Sequence, residues 1–287
     1  MQALGYFCSY VPEELVIACG LSAVRFVPDF SSPVSPLFPI PFCTLCKSFT
    51  QWALSQKDLL GCIVPLSCDA SRRTYETLQA LSLPVFPLDV PAFPSPEAVR
   101  YFAENLKALS LKLTDISGIP FTTFEKNLKN ILQKSHCNTK QEERKDRPSL
   151  LLLGSHYAST ILPLLEARGF TVFADLPEKR PYLFLDSPSS PPFPLDGLAQ
   201  RVLLERLPCP RFPGKGRRQF LKKLCTELSI KGVIIFFSKF CDPQLYEIGL
   251  LRKELSIPTL LLEHDCTASF AQWETRLEAF LEMISHG

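Results

Sequence analysis

The 287-residue sequence lacks several features that mark common classes of protein. Its formal net charge is only +2, from 31 Lys and Arg against 29 Asp and Glu, so no basic surface for nucleic acid is indicated. No apolar run approaches the ~20 residues that a membrane-spanning helix needs. The segment MQALGYFCSYVPEEL has no basic stretch followed by an apolar one, as a secretion signal would. We therefore expect a cytoplasmic protein that binds neither nucleic acid nor membrane.

A phosphate-binding loop of the form G-x-x-x-x-G-K-[ST] is also missing from the sequence. Such a loop cradles the phosphates of the nucleotide in many nucleotide hydrolases. Any nucleotide hydrolysis on which this protein depends is therefore expected to take place on a partner.

Cysteine, in contrast, is abundant, with 11 residues scattered along the chain. A disulfide framework suits short secreted domains better than a long chain with an odd number of cysteines. In a reducing compartment three roles remain, namely a buried apolar side chain, a catalytic thiol or a metal ligand. We therefore use the position of each cysteine relative to the predicted strands and helices to distinguish these roles.

Short apolar runs alternate with amphipathic stretches along most of the chain. LLGCIVPL at 59–66 and GVIIFFS at 232–238 are typical strand patterns, and each precedes a helical pattern. Fully apolar strands that alternate with helices predict parallel sheets covered on both faces. The sequence therefore predicts an α/β fold with two Rossmann-like domains.

A predicted helical pair, PEAVRYFAENLKALSLKL and TTFEKNLKNILQK, separates the two α/β parts. The polar segment KSHCNTKQEERKDRP follows it and has no periodicity. We predict an N-terminal α/β domain at 1–96, a helical insert and linker at 97–146, and a C-terminal α/β domain at 147–287. The proline-rich tract at 186–216 is predicted to be a loop, either a surface connection or a lid over a site, because proline interrupts helices and sheets.

Three cysteines stand where α/β proteins place their ligands, just beyond the carboxyl ends of strands. Cys68 and Cys241 each follow a predicted strand and precede a helix, and Cys43 lies just ahead of a segment that favours a helix. Three thiolates converging between two sheets would suit an iron–sulfur cluster. The CxxC pair of Cys43 and Cys46 is only a weak indication of zinc or redox chemistry, because no second pair follows.

Five segments, taken in order, resemble the hallmark segments of the 2-hydroxyacyl-CoA dehydratase component D family. That family includes dehydratase subunits, benzoyl-CoA reductase subunits and double-cubane cluster proteins. The segments are GYFCSYVPEELVIACGLSAVRF, FCTLCKSF, IVPLSCDASRRTYE, GVIIFFSKFCDPQLYEIGLLRKEL and IPTLLLEHDCTASFAQWETRLEAFLEM. The resemblance spans essentially the whole chain, and the matches CDxxRRxYE, KFCDP and QxxTRxEAFxE are together highly specific.

The resemblance implies that Cys43, Cys68 and Cys241 hold a [4Fe-4S] cluster at the interface of the two Rossmann-like domains. Three protein thiolates would leave one iron with an open position for water or a substrate oxygen. Cys46 stands where the family usually has an aliphatic residue, so packing is expected, with an alternative ligand as the second interpretation. Cys8 matches a cysteine of the double-cubane branch, but VRFVPDF lacks the further cysteine expected there, so a single cubane is favoured.

The resemblance also implies an activity and its partners. In the family, an ATP-dependent activator with its own iron–sulfur cluster injects a single low-potential electron. This chain would then be a subunit of a 2-hydroxyacyl-CoA dehydratase, a lyase with a radical mechanism, or of a low-potential reductase of anaerobic metabolism. Its partners would be the activator, a second component D subunit or a copy of itself, and a CoA thioester.

The chain is short for a dehydratase subunit, and this leaves other interpretations open. One is a non-catalytic, cluster-bearing electron-transfer or accessory protein of the same family. Another is an α/β interaction protein in which the cysteines no longer bind anything.

Some further side chains are candidates for a role near the cluster. Glu14 in VPEEL matches the family's PxE element and is the candidate acid or base, the alternative being a first-turn carboxylate favoured by the helix dipole. Arg72 and Arg73 either bind an anionic CoA group or pair with acidic neighbours. His264, at the end of a predicted strand, is interpreted as structural.

Overall fold

The computed structural model describes residues 2–28, 32–93, 95–134, 147–154, 158, 161–175, 193–205, 214–264 and 271–286. These residues form two compact units. The first is drawn from Met1–Phe26, Phe49–Thr139 and Phe184–Pro208, and the second from Val27–Ser48, Lys140–Leu183 and Cys209–Gly287. Within the described ranges, no helix is both long and apolar enough to cross a membrane. The domain boundaries at 97 and 147 stay a prediction.

The first unit is built on a four-stranded parallel sheet. Its strands are β1 (Ala3–Tyr6), β2 (Ser22–Arg25), β3 (Leu59–Pro65) and β4 (Val85–Leu88), in the spatial order β2-β1-β3-β4. Helix α1 (Glu13–Ala18) joins β1 to β2, α2 (Thr44–Ser55) precedes β3, and α3 (Asp69–Ala80) joins β3 to β4. Parallel strands need such helical crossovers, because a tight turn cannot return the chain to the starting edge. The division between the two units falls within α2, after Ser48.

The predicted helical pair is present in the first unit as α4 (Pro96–Ser117) and α5 (Phe121–Lys134). The hydroxyl of Ser95 caps the start of α4 by accepting from the backbone N–H of Ala98 at 3.1 Å. Gly118 ends α4 in the left-handed conformation, with φ 72°. Pro120 follows and begins the turn into α5, since proline cannot continue a helix.

The proline-rich tract differs from its prediction as a loop. Its described part forms α7 (Pro194–Gln200) and a π-helical turn (Arg201–Glu205), and α7 packs against α4 and α5. Pro194 lies in the first turn, where proline is compatible with a helix, and none of the residues 195–207 is proline. Leu198 and Val202 are fully buried, so apolar side chains at helical spacing outweigh the local proline content. The remaining parts of the tract, 186–192 and 206–213, lie outside the described residues.

The second unit repeats the strand order of the first. Its strands are β5 (Ser149–Gly154), β6 (Thr171–Asp175), β7 (Ile230–Ser238) and β8 (Thr259–His264), all parallel, in the order β6-β5-β7-β8. Its helices are α6 (Leu162–Ala167), α8 (Lys215–Glu227), α9 (Asp242–Glu254) and α10 (Ala271–His286). The predicted α/β class with two parallel sheets is therefore confirmed.

Strand β7 shows why this sheet is covered on both faces. Ile234 and Phe236 pack with residues of α6 and α10, whereas Val233, Ile235 and Phe237 pack with residues of α8 and α9. Burying each such side chain contributes about 1.5–3 kcal/mol. The continuous apolar run in the sequence thus reflects two buried faces rather than one.

The two central strands of each sheet create a crevice at their carboxyl ends. The connections leave β1 and β3, or β5 and β7, in opposite directions across the sheet, and ligands of open α/β sheets bind at such switch points. At this end of β5, a Cβ atom on Gly154 would lie 2.0 Å from the carbonyl oxygen of Phe236. Only glycine permits this close approach of β5 to β7.

Candidate metal centre

Cys43 caps the start of α2 with its sulfur atom. It immediately precedes Thr44, the first residue of the helix, and the backbone N–H groups of Leu45 and Cys46 donate to its thiolate. A side chain at this position normally accepts from the second and third residues of the helix, as it does here. The side chain of Cys43 is buried, so these donors act without competition from water.

Two further thiols, those of Cys241 and Cys46, donate hydrogen bonds to the sulfur of Cys43. The bond from Cys241 contributes most, and together these donors hold the pKa of Cys43 well below its usual range although burial opposes them. All three residues belong to the second unit, and we call them the thiol group. The structure thus brings Cys43 and Cys241 together and adds Cys46, for which the sequence predicts packing first and an alternative ligand second. Its i, i+3 spacing from Cys43 was the available signal, because residues three apart are neighbours on a helix.

Three other buried thiols behave in the opposite way. Burial raises the pKa of Cys19 to about 12, of Cys62 to about 12 and of Cys225 to about 11. This is the expected response of a thiol that packs in an apolar core. Among the eight cysteines that the structure describes, none forms a disulfide, and Cys137, Cys209 and Cys266 lie outside the described residues.

The loop from β7 to α9 presents Cys241 through a strained corner. Phe240 has φ 61°, a left-handed conformation that costs a non-glycine residue about 1–2 kcal/mol. The corner is held by backbone hydrogen bonds from Cys241 N to Ser238 O at 3.1 Å and from Lys239 N to His264 O at 2.7 Å. Strain that persists because the surroundings fix it is common at functional sites.

A side-chain hydrogen bond connects this loop to the start of α2. The hydroxyl of Thr44 donates to the carbonyl oxygen of Lys239 at 3.3 Å. Because Thr44 follows Cys43 and Lys239 precedes Cys241 by two residues, this bond holds the two segments that carry the thiols against one another.

Ser238 carries a buried hydroxyl at the same edge of the sheet. Its side chain is 1% exposed, and its Oγ atom has no hydrogen-bond partner among the described residues. Leaving such a group unsatisfied costs about 1–3 kcal/mol. An orphaned donor three residues before Cys241 is the arrangement expected beside a bound acceptor, such as a thiolate or sulfide.

The donors of the thiol group fit an iron–sulfur cluster in their chemistry, because thiolates are the usual ligands of such clusters. Within the part of the chain that the structure describes, no three His, Cys, Asp or Glu side chains form a group that could hold a metal ion.

Cys68, the third predicted ligand, lies in the first unit at the corresponding edge of its sheet. It follows β3 and is the N-cap residue of α3, with extended backbone angles of φ −151° and ψ 169°. The neighbouring strand β1 leads to Cys8, whose Sγ atom is 4.0 Å from the Oγ atom of Ser67. The loops that follow the two central strands therefore meet here, and both cysteines are partly exposed.

Glu14, the candidate acid or base, lies buried in the first turn of α1 in the same unit. Its neighbour Glu13 belongs to a network that sequence analysis missed. The hydroxyl of Tyr6 donates to Glu13, and Nε of Arg25 donates to the Tyr6 oxygen at 3.0 Å. Burial is the main cause that raises the pKa of Tyr6 above its usual range, so this hydroxyl stays a donor.

The remaining candidates have structural partners. Arg72 lies 3.7 Å from Asp89, and Arg73 pairs with Asp69 and Glu76. These contacts favour the interpretation that both arginines pair with acidic neighbours.

His264 is fully buried. Its ring centroid lies 5.9 Å from that of Phe236 and 5.7 Å from that of Trp273. This aromatic packing supports a structural role.

The fold and the site together define an α/β protein that groups three thiols, two of them buried, at the carboxyl edge of a parallel sheet. The family profile described as 2-hydroxyglutaryl-CoA dehydratase, D-component, matches residues 8–137 and 122–284. The chain therefore belongs to this family, as its sequence motifs predict.

Two relatives of established name are similar to the chain. The (R)-phenyllactyl-CoA dehydratase beta subunit of Clostridium sporogenes is 24% identical over 345 residues, which cover 99% of this chain and 92% of that protein. The (R)-2-hydroxyglutaryl-CoA dehydratase, subunit beta, of Acidaminococcus fermentans is 35% identical over 79 residues, or 26% of this chain and 21% of that protein. The first similarity extends over nearly the whole of both sequences.

Proposed function

We propose that this protein is the iron–sulfur subunit of a 2-hydroxyacyl-CoA dehydratase or of a related low-potential reductase. The observation that carries the proposal is the thiol group, in which one buried cysteine is surrounded by donors that favour its thiolate form. Membership of the family supports it, as do the names of the two relatives, both beta subunits of dehydratases.

Cys43, Cys68 and Cys241 are the proposed ligands of a [4Fe-4S] cluster. When bound, the cluster supplies a low-potential electron to the thioester of a CoA substrate. The thiolate of Cys43 is the form that binds iron, and its capping position keeps the sulfur fixed before any metal arrives. A double cubane has less support, because the sequence lacks the further cysteine after VRF.

Other residues of the chain would hold the site and move protons. The Phe240 corner and the Thr44–Lys239 hydrogen bond fix the two segments that carry the thiols. The Ser238 hydroxyl is placed to donate to an acceptor at this edge. Glu14 is proposed to take up or deliver the proton that accompanies loss of the substrate hydroxyl as water.

Three partners follow from this proposal. An ATP-dependent activator with its own iron–sulfur cluster would supply the electron, since the chain has no phosphate-binding loop. A second component D subunit, or a second copy of this chain, would complete the enzyme, in line with the subunit names of the relatives. A CoA thioester would be the substrate.

Anaerobic purification followed by iron and sulfide analysis tests the proposed cluster. We expect about four iron atoms and four sulfides per chain. Serine in place of Cys43, Cys68 or Cys241 should remove most of this iron, whereas Cys225→Ser, a control in a buried apolar site, should retain it. Absence of iron and sulfide from the wild-type protein, even after anaerobic reconstitution, would contradict the proposal.

A second candidate function is a cluster-bearing electron-transfer or accessory protein that turns over no substrate. The contact of Cys46 with Cys43 favours it, because a further thiolate competes with substrate for iron. An activity assay with reduced activator and a panel of 2-hydroxyacyl-CoA thioesters distinguishes the two functions. Dehydration of any thioester supports the enzyme, and cluster reduction without product across the panel supports electron transfer.

A further inference from the structure

We propose that Cys43 and Cys46 are a redox-active pair that forms a disulfide, with Cys241 as the thiol through which oxidant reaches them. This chemistry goes beyond the iron–sulfur function and does not depend on it, because it takes place in the chain without metal. It gives a role to the C-x2-C motif, which the proposed ligand set uses only in part. A low-molecular-weight disulfide, such as oxidised glutathione, would be the oxidant.

The first observation is that the sulfur of Cys43 contacts two other sulfurs. It accepts hydrogen bonds from the thiols of Cys46 and Cys241. Thiol–disulfide exchange requires one sulfur to attack another directly, so sulfur atoms in contact are placed to react. Cys43 is therefore the common partner in any exchange within the thiol group.

The second observation is the closed helical turn between Cys43 and Cys46. The backbone N–H of Lys47 donates to the carbonyl oxygen of Cys43 at 3.1 Å, so Cys43 is the N-cap residue of α2 and Cys46 is its third residue. Helix geometry places Cα atoms at this spacing about 5 Å apart, inside the range of about 4.4–6.8 Å that disulfides span. The C-x2-C motif also carries the redox-active pair of disulfide oxidoreductases. The pair can therefore be joined without unwinding the helix.

The third observation is the difference in exposure within the thiol group. Cys43 is 6% exposed and Cys46 is 2% exposed, whereas Cys241 is only partly buried. A dissolved oxidant therefore meets Cys241 first, and the contact between Cys241 and Cys43 leads from it to the buried pair. The hydrogen bond from Thr44 to Lys239 keeps the two segments together during the exchange.

The exchange takes place in three steps. The Cys241 thiolate attacks the oxidant, RSSR, and forms a mixed disulfide as the first RS⁻ leaves. Cys43 then attacks the Cys241 sulfur and the second RS⁻ leaves, after which Cys46 attacks the Cys43 sulfur and Cys241 leaves as a thiolate. Two thiols are thus oxidised to one disulfide, and RSSR is reduced to two RSH that take up the protons of Cys43 and Cys46. Because only a thiolate binds iron, the oxidised pair would accept metal only after reduction.

The experiment treats the full-length chain, purified anaerobically and freed of metal by a chelator, with oxidised glutathione. The remaining thiols are then alkylated in denaturant, and the tryptic peptides are analysed by mass spectrometry. Residues 26–47 form one tryptic peptide that contains both Cys43 and Cys46, and residues 240–252 form another that contains Cys241. We expect the 26–47 peptide to escape alkylation and to weigh two hydrogens less than its reduced form. Dithiothreitol should reverse this change.

Two variants test the order of the steps. Cys46→Ser should accumulate the earlier disulfide between Cys43 and Cys241, which joins the two peptides. Cys241→Ser should slow formation of the Cys43–Cys46 disulfide by on the order of tenfold or more, because both remaining thiols are buried. Cys225→Ser is the matched control and should react at the wild-type rate, since the Cys225 sulfur packs among apolar side chains.

A wild-type 26–47 peptide that remains fully alkylated after oxidation would overturn the proposal, as would a final product in which Cys43 is joined only to Cys241. Equal rates for Cys241→Ser and the wild type would overturn the role of Cys241. The wild-type peptides decide the pairing even if a variant does not fold. Because no metal is present, these outcomes hold whether or not iron analysis finds a cluster.

Discussion

The two sheets have the same strand order but differ in what lies beyond their carboxyl ends. In the second unit this edge carries the thiol group and a corner at Phe240 that holds it. In the first unit the edge carries Cys8 and Cys68, which are partly exposed as Cys241 is, beside the oxygen-rich turn of Glu13 and Glu14. The shared topology therefore creates an equivalent edge in each unit, and the side chains at that edge determine its chemistry.

The charged groups near the two edges show the same contrast. In the second unit, Nε of Arg217 donates to both carboxylate oxygens of Glu247 at 2.8 and 3.1 Å, and each side chain is 6% exposed. This pair joins α8 to α9, the helix that begins directly after Cys241. In the first unit, Arg25 and Glu13 are 3.4 Å apart and Glu13 is 47% exposed. We infer that the second edge depends more strongly on buried contacts.

The largest effect is expected from breaking the buried pair of the second unit. Arg217→Met should lower the free energy of unfolding by about 3–5 kcal/mol, because it leaves the Glu247 carboxylate buried and unpaired. Urea unfolding of the whole chain measures the loss. The double variant Arg217→Met/Glu247→Leu should recover much of it. Lys223→Ala, which removes an exposed pair with Glu227 on the same helix, is the control. If Arg217→Met lost no more stability than the control, the inference that the second edge depends more strongly on buried contacts would be wrong.

The next effect concerns the pH dependence of stability in the metal-free protein. The pKa of Cys43 in the folded protein lies well below its value of about 8.5 in the unfolded chain. The Cys43 thiolate therefore stabilises the fold fully above about pH 8.5, and this stabilisation is lost as the pH falls through the folded pKa. Wild-type protein should gain stability over Cys43→Ala with rising pH, by at most about 1.4 kcal/mol per pH unit. Unfolding free energies of both proteins between about pH 5 and 9 measure this difference.

Cys225, in the same unit, should affect the pH dependence of stability in the opposite direction. Burial raises its pKa to about 11, so its neutral thiol contributes stability below about pH 8.5 that is lost as the pH rises toward the folded pKa. The stability of Cys225→Ala should therefore fall less steeply above pH 8.5 than that of the wild type. Equal slopes for Cys43→Ala and Cys225→Ala relative to the wild type would show that the two thiols do not differ.

A smaller effect is expected at the edge of the first unit. Tyr6→Phe removes a hydroxyl that donates to Glu13 and accepts from Arg25, and should cost about 1–2 kcal/mol. Tyr101→Phe is the matched control, because the exposed hydroxyl of Tyr101 donates to Asp89 at 2.5 Å near solvent. Thermal melts of both variants compare their losses of stability. A larger loss for Tyr101→Phe than for Tyr6→Phe would contradict the prediction.

The smallest effect is expected from Arg72→Ala. Arg72 is 51% exposed and 3.7 Å from Asp89, so its loss should change the free energy of unfolding by less than about 1 kcal/mol. Because its partner is acidic, affinity for a CoA thioester should stay unchanged. A tenfold or greater loss of affinity, measured by calorimetry, would instead establish Arg72 as an anion-binding residue.

Much of the fold could be predicted from the sequence because its apolar runs have clear periods. The run at 232–238 lies within β7, and the helical pattern after Cys241 becomes α9. A cysteine between two such elements has a defined place at the edge of a sheet, whatever the rest of the chain does. This is why Cys68 and Cys241 could be assigned to strand ends without a structure.

The rest could not be predicted, because it depends on contacts between distant parts of the chain. Nothing local assigns residues 27–48 to the same unit as β7, or brings Cys241 into contact with Cys43. The left-handed conformation of Phe240 is equally hidden, since phenylalanine rarely adopts it. In the proline-rich tract, the prolines concealed the helical spacing that forms α7.

The hydrogen bond between Thr44 and Lys239 joins residues 195 positions apart, and this separation has a consequence for biosynthesis. At about 5–20 residues per second, a ribosome adds the second residue about 10–40 s after the first. Throughout that interval the newly made Cys43 waits without Cys241. The thiol group can therefore assemble only after Cys241 has been made, which is late in translation.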